Sequence, residues 1–250
     1  MFVPFKIKIS EIDKLQNLDL DFSTTQNECQ YFCKKILNHC TDDYGIIDGA
    51  KLSSISFPFD KDYYDVFISY SHVDKEKANY LYSYLKEQCN LDVFLDSTIW
   101  NSADQLLKTI DNTYCKNKDQ NLYDYKKRNF STSHIHTMLS MAMMEAIKRS
   151  ELFLFIESEN SLTLCDGINN STLSPWIYQE CLFSKYIKKD IPQGKYSNLK
   201  CFSKEITESF DSNLKIEYKL DINDFYIMNF EDLKEISEKG LYCLYQKKGI

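Results

Sequence analysis

The 250 residues include only six glycines and four prolines, against an average glycine usage of roughly 7%, and neither G-x-G-x-x-G nor G-x-x-x-x-G-K-[ST] occurs. That excludes the glycine-rich phosphate cradles of dinucleotide-binding and P-loop enzymes. Lys plus Arg number 30 against 37 Asp plus Glu, for a net charge of -7, and Arg128 and Arg149 are the only arginines, which excludes a dedicated nucleic-acid or anionic-membrane surface.

With 43% apolar residues the chain can bury a sizeable core. The opening MFVPFKIKIS lacks an apolar leader segment and no run of about 18 apolar residues follows, so a cytoplasmic protein is expected. The nine cysteines are odd in number and dispersed, which fits reduced core residues better than a disulfide framework.

In chain order, Phe5 to Ile9 alternates like a short strand, and Gln26 to Cys40 reads as an amphipathic helix. Cys29, Cys33, His39 and Cys40 fall on that helix as core residues; as zinc ligands their spacing fits no tetrahedral template well. Residues 1–60 are taken as an N-terminal extension of unknown role, ending at Pro58. Tyr64 to Ser69 (YDVFIS) is a run of β-formers expected to make a buried strand. Asp74 suits the N-cap of a helix carrying Ala78, Leu81, Tyr82, Leu85 and Cys89.

A second strand is expected at Leu91 to Leu95, and Ser102 with Gln105 forms a capping-box pattern for the next helix. Strand, helix and strand within about thirty residues imply a parallel unit. Lys116 to Ser133 is polar and reads as an inserted loop, containing Tyr123, Tyr125 and Arg128, followed by His134 and His136; it is either a surface loop or a lid. Ile135 to Ile147 is a helix with Met138, Met141, Met143 and Met144 around its circumference, either deeply packed or part of an oligomer face.

Glu151 to Ile156 (ELFLFI) is the third buried strand. A polar loop containing Gly167 leads to Ser174-Pro175-Trp176, a serine N-cap with proline at the first helical position, and that helix runs to about Lys188. Leu214 to Leu220 alternates like a strand, and Phe230 to Tyr245 is expected to close the domain with a last helix. Alternating elements of this length imply an α/β fold, a central parallel sheet flanked by helices.

Four segments, YDVFISYSHVD at Tyr64 to Asp74, VFLDSTIW at Val93 to Trp100, SELFLFIES at Ser150 to Ser158 and SPWIYQE at Ser174 to Glu180, resemble in order and spacing the motif boxes of TIR domains. The resemblance covers residues 62–188 well and 195–250 loosely, so residues 61–250 are expected to form a TIR domain with an insertion at about 116–133. It implies a flavodoxin-like fold and one of two functions. One is cleavage of NAD at the nicotinamide-ribose bond; the alternative is a non-catalytic scaffold or virulence factor acting through TIR-TIR contacts.

In the enzymatic class a glutamate four residues after a tryptophan carries catalysis, which here is Glu180 after Trp176. Nicotinamide departs as a neutral molecule, so no general acid is needed; a carboxylate must stabilise an oxocarbenium-like ribose. On a helix the i, i+4 spacing places Trp176 and Glu180 on one face, an aromatic wall beside the acid. The resemblance carries over Tyr70, Ser71, Asp96 and Trp100 as further substrate contacts, with His72 either a contact or a solvated turn residue. The segment Ser97-Thr98-Ile99-Trp100-Asn101 departs from the family pattern in lacking Gly or Pro. Neither a metal nor a cofactor is expected, NAD being the substrate.

The format resembles stand-alone bacterial TIR NADases of Thoeris-type antiphage defence. That implies self-association, a product such as ADP-ribose, a cyclic isomer or a conjugate, and a downstream effector that senses it. A response-regulator phosphoacceptor on the same fold would need an acidic pair where Tyr70 and Ser71 stand.

Overall fold

The computed structural model describes residues 3–15, 29–59, 61–95, 97–117, 122–165, 169–187 and 216–250. The elements through the first half are β1 (Val3–Lys8), α1 (Ile9–Asp13), α2 (Cys29–Cys40), α3 (Gly49–Ser56), β2 (Tyr64–Ser69), α4 (Lys75–Glu87), β3 (Val93–Leu95) and α5 (Ser97–Ile110). They continue with α6 (Tyr125–Arg149), β4 (Ser150–Glu157), β5 (Thr163–Cys165), β6 (Asn169–Thr172), α7 (Pro175–Tyr186), β7 (Tyr218–Lys219), β8 (Tyr226–Met228), α8 (Phe230–Lys239) and α9 (Tyr242–Lys248). A 3-10 turn at His72–Asp74 precedes α4, and a π-helical turn at Asp111–Cys115 follows α5. By contacts the chain divides into two compact units: Met1–Phe22, Tyr63–Leu95 and Ile147–Ile250 form one, and Ser23–Asp62 with Asp96–Ala146 forms the other.

The first unit is α/β. Its five-stranded sheet has the order β3-β2-β4-β1-β8, with every pairing parallel, an arrangement compatible with a flavodoxin-like fold. Register and alternation sort the strand residues into two faces. One face presents Val3, Phe5, Ile7, Val66, Ile68, Leu152, Leu154 and Ile156, and these pack in one core with Ile12 of α1, Leu81 and Leu85 of α4, Leu233 and Ile236 of α8 and Leu244 of α9. Across the other face runs an aromatic row: Phe67 stacks on Phe94 at 5.6 Å and on Phe153 at 5.7 Å, and Phe225 meets Phe153 edge-on. Continuous apolar runs such as VFI and LFLFI are what a parallel sheet buried on both faces requires.

A second sheet, β5-β6-β7, is antiparallel and lies beside α7. Tyr178 of α7 stacks on Tyr218 of β7 at 4.6 Å, and Lys185 pairs with Asp221 at 2.7 Å. In the other unit α2, α3 and α5 pack against one another, and α3 opens on Asp48, whose side chain accepts the Lys51 N–H at 3.0 Å. Among the described residues, no helix is long and apolar enough to cross a membrane.

Several expectations from the sequence are corrected here. Within the expected N-terminal extension, β1 is inserted between β4 and β8, with Phe5 and Ile7 fully buried, and by contacts the chain divides into two interleaved units. The helix after β3 begins at Ser97, so Ser102 lies within α5 rather than at its cap, and the lack of Gly and Pro in that segment is what lets the helix start early.

The 116–133 loop is shorter than expected because Asp124 accepts the Lys127 N–H at 3.0 Å and starts α6 at Tyr125; residues 118–121 fall outside the described residues. The span around Gly167 forms the β5–β6 hairpin, residues 166–168 again lying outside the described residues, as do Leu214 and Lys215 of the alternating Leu214 to Leu220 stretch. The last predicted helix is two, because Gly240 takes φ +81°, a positive-φ conformation that favours glycine and ends α8.

Candidate active site

In the sheet order β3-β2-β4-β1-β8 the chain leaves β2 toward β3, through α4 on the first face, and leaves β4 toward β8 on the opposite side. The reversal lies between β2 and β4. In open parallel sheets the crevice outside the carboxyl ends of two such strands is where ligands bind. The residues at those two ends are Ser69, Tyr70 and Ser71 after β2, and Glu157 and Ser158 at the end of β4.

Glu180 comes to this place on α7. The helix starts where the sequence predicts: Ser174 accepts the Ile177 N–H at 3.3 Å, and Pro175 occupies the first position. Two turns in, Glu180 is 1% exposed, and Ser69 Oγ donates to its Oε2 at 2.5 Å. Ser69 is itself fully buried and faces the same side of the sheet as Phe67. A carboxylate this deep is tolerated only with hydrogen-bonding partners, and the strand supplies one from a fixed backbone. The bond also fixes which way the carboxylate points. Cys181 next to it is buried; burial first, and the neighbouring Glu180 carboxylate second, push its thiol well above the ordinary range.

Of the other predicted site residues, Trp176 lies one turn before Glu180 on the same face of α7 and is half-buried. Tyr70 is 2% exposed at the end of β2, with its ring edge-on to His72 at 6.2 Å. Ser71 is half-buried in extended backbone, and its carbonyl accepts the Asp74 N–H at 2.8 Å. Glu180, Trp176, Tyr70 and Ser71 thus all belong to the first unit; Tyr70 and Ser71 follow β2 directly, and the Ser69 bond places Glu180 at the end of that strand. Asp96 lies outside the described residues. Trp100 is in the first turn of α5, in the second unit, and its side chain is likewise outside them.

The structure adds residues that sequence reading assigned elsewhere. Asp74 occupies the N-cap position of α4 but makes no capping bond. Its carboxylate, 6% exposed, instead accepts from Ser158 Oγ at 2.5 Å and from Asn160 Nδ2 at 2.7 Å, in the loop after β4. Ser158 Oγ in turn accepts the N–H groups of Asn160 and Ser161, at 3.2 and 3.0 Å, and Ser161 Oγ accepts the Ser158 N–H at 2.9 Å and donates to the Ile156 carbonyl.

Lys6 of β1 falls in the same cross-strand row as Ser69 and Phe155, about 10 Å from Ser69 by strand spacing, with Nζ 3.9 Å from Glu157. The available signals were modest: a serine closing a buried run at Ser69, and the polar cluster Ser158-Glu159-Asn160-Ser161 just past a strand end.

Among the described residues no group of three or more His, Cys, Asp or Glu is placed to hold a metal ion. Comparison of the chain with family models, with curated proteins and with solved structures gave no match.

Proposed function

We propose that the chain is an NAD nucleosidase that breaks the nicotinamide-ribose bond, with Glu180 as the catalytic carboxylate. The observation that carries the reading is a glutamate 1% exposed, oriented by a strand hydroxyl, at the carboxyl end of β2, one of the two strands flanking the sheet's reversal. As the C–N bond breaks, its electron pair leaves with nicotinamide, which becomes neutral, and positive charge develops on the ribose. A carboxylate shielded from water and already oriented stabilises that charge more than it stabilises the substrate, which is what lowers the barrier.

Ser69 holds the carboxylate so that little reorganisation is needed. Trp176 provides a flat wall, and Tyr70 and Ser71 contribute the ribose and nicotinamide contacts. Capture of the cation by water gives ADP-ribose and one proton; capture by an internal nucleophile gives a cyclic isomer, and capture by an external acceptor gives a conjugate. Each such product fits a role as a TIR-type signal in antiviral defence, or in depletion of NAD, with assembly of several copies and a downstream effector as partners.

Incubation of the full chain with NAD, with products identified by mass, tests this. Wild type releases nicotinamide at high protein concentration or with its trigger, and Glu180→Ala does not. Equal behaviour of the two proteins overturns it.

A TIR scaffold is the second reading. It is favoured by the exposed apolar side chains of the second unit, among them Tyr44 at 90%, Tyr125 at 78% and Phe130 at 69%. Partner binding and full biological activity retained by Glu180→Ala would select it.

A further inference from the structure

The Asp74 network is more elaborate than cap or turn chemistry needs. A loop turn is satisfied by one or two local bonds. Here a buried carboxylate joins positions 84 and 86 residues apart, through Ser158 and Asn160, and these tie the loop after β2 to the loop after β4. Those strands flank the sheet's reversal. The tie also reaches a predicted substrate contact directly, because the Asp74 N–H is bonded to the Ser71 carbonyl.

We infer that Asp74 is a positioning residue, a latch that fixes the separation of the two loops and thereby sets where Tyr70 and Ser71 stand relative to a nucleotide bound at the carboxyl ends of β2 and β4. The inference rests on the NAD-cleaving reading for its kinetic half only. Glu180 has a separate anchor: its hydroxyl partner is on β2 itself, not in either latched loop. Loosening the latch therefore weakens binding in ground state and transition state alike, which raises KM and leaves kcat nearly unchanged.

The polarity of the latch gives a test that does not depend on truncation. Ser158 and Asn160 donate and Asp74 accepts at both oxygens. In Asp74→Asn both bonds lose their charge assistance, and the new amide nitrogen meets the amide nitrogen of Asn160 unless the Asn160 amide turns over, so the tie is weakened. In Asn160→Asp two carboxylates face each other. The double variant Asp74→Asn with Asn160→Asp restores a donor-acceptor match, with Asn at 74 donating to Asp at 160.

Hydrogen exchange of the full chain, followed at the amides of 71–74 and 158–161, reads the latch without any substrate. Each single variant is expected to exchange there about tenfold faster or more, and the double variant to return most of the way to wild type. With NAD, each single variant is expected to raise KM about tenfold with kcat within about threefold, and the double variant to recover KM.

Unchanged exchange in both single variants overturns the latch, as does a double variant no better than the worse single. Faster exchange with KM unmoved overturns the positioning role and leaves a merely structural tie. A wild type that protects these amides but cleaves no NAD overturns the enzymatic reading and the kinetic half with it, while the exchange data still decide whether the two loops are joined.

Discussion

Glu180 and Asp232 are both 1% exposed, in the same unit, yet they are held by different chemistry. Asp232 lies in the first turn of α8, where it completes a capping box with Asn229, and Lys247 and Lys248 of α9 reach its two oxygens at 2.7 and 2.9 Å. Burial alone would push its carboxyl up, but the bonds from the two lysines and the Asn229 backbone together bring it below the ordinary range. The partners balance its charge and tie two helices into a hairpin. On Glu180, by contrast, β2 places a hydroxyl, Ser69 Oγ, which donates to the carboxylate and orients it. The two lysines tie Asp232 into the fold, whereas the proposed cleavage of NAD would draw on the carboxylate of Glu180 itself.

The largest effect that would sharpen this contrast is expected at Glu180 itself. Glu180→Gln keeps the shape and the Ser69 bond while removing the charge, so kcat for nicotinamide release should fall about 100- to 1,000-fold with the thermal midpoint held or raised. A midpoint that drops sharply with activity intact would place Glu180 in the same class as Asp232.

Next in size is Asp232→Ala, which removes half of the capping box and two ion pairs whose lysines are 44% and 21% exposed. Loss of about 2 kcal/mol is expected, a fall of roughly 5 °C in Tm, with kcat unchanged. Ser69→Ala should follow, lowering kcat about tenfold, near 1.4 kcal/mol, with KM nearly constant, and Ser69→Thr should recover part of it. That kinetic split is the reverse of the one expected for Asp74→Asn.

The smallest effect concerns pH. Because the folded-state value of Asp232 is depressed, its contribution is fully present above the unfolded carboxylate value, about 3.9, and is lost as pH falls through the lower folded value. Thermal melts should show wild type losing stability below about pH 4 more steeply than Asp232→Asn. Parallel slopes for the two proteins would remove the hairpin's share in acid lability.

Much of this architecture was legible locally. YDVFIS and ELFLFI read as buried strands because they are buried on both faces and need no alternation. Ser174-Pro175 read as a helix start because cap and proline act within one turn. The i, i+4 pair Trp176 and Glu180 followed from helical spacing alone. Asp74 was legible as the N-cap residue of α4 and occupies that position, but the partners of its carboxylate lie 84 and 86 residues away, beyond any local reading.

The sequence by itself determined the identity and order of most elements, the apolar faces, and the presence of an acid two turns into α7, since each depends on periodicity within ten or so residues. Tertiary structure alone decided that β1 stands between β4 and β8, that Ser69 meets Glu180 across 111 residues of chain, and that Asp74 bonds to the loop after β4. Those pairings depend on sheet order and register, which bring distant strand ends together and leave no periodic trace in the residues concerned.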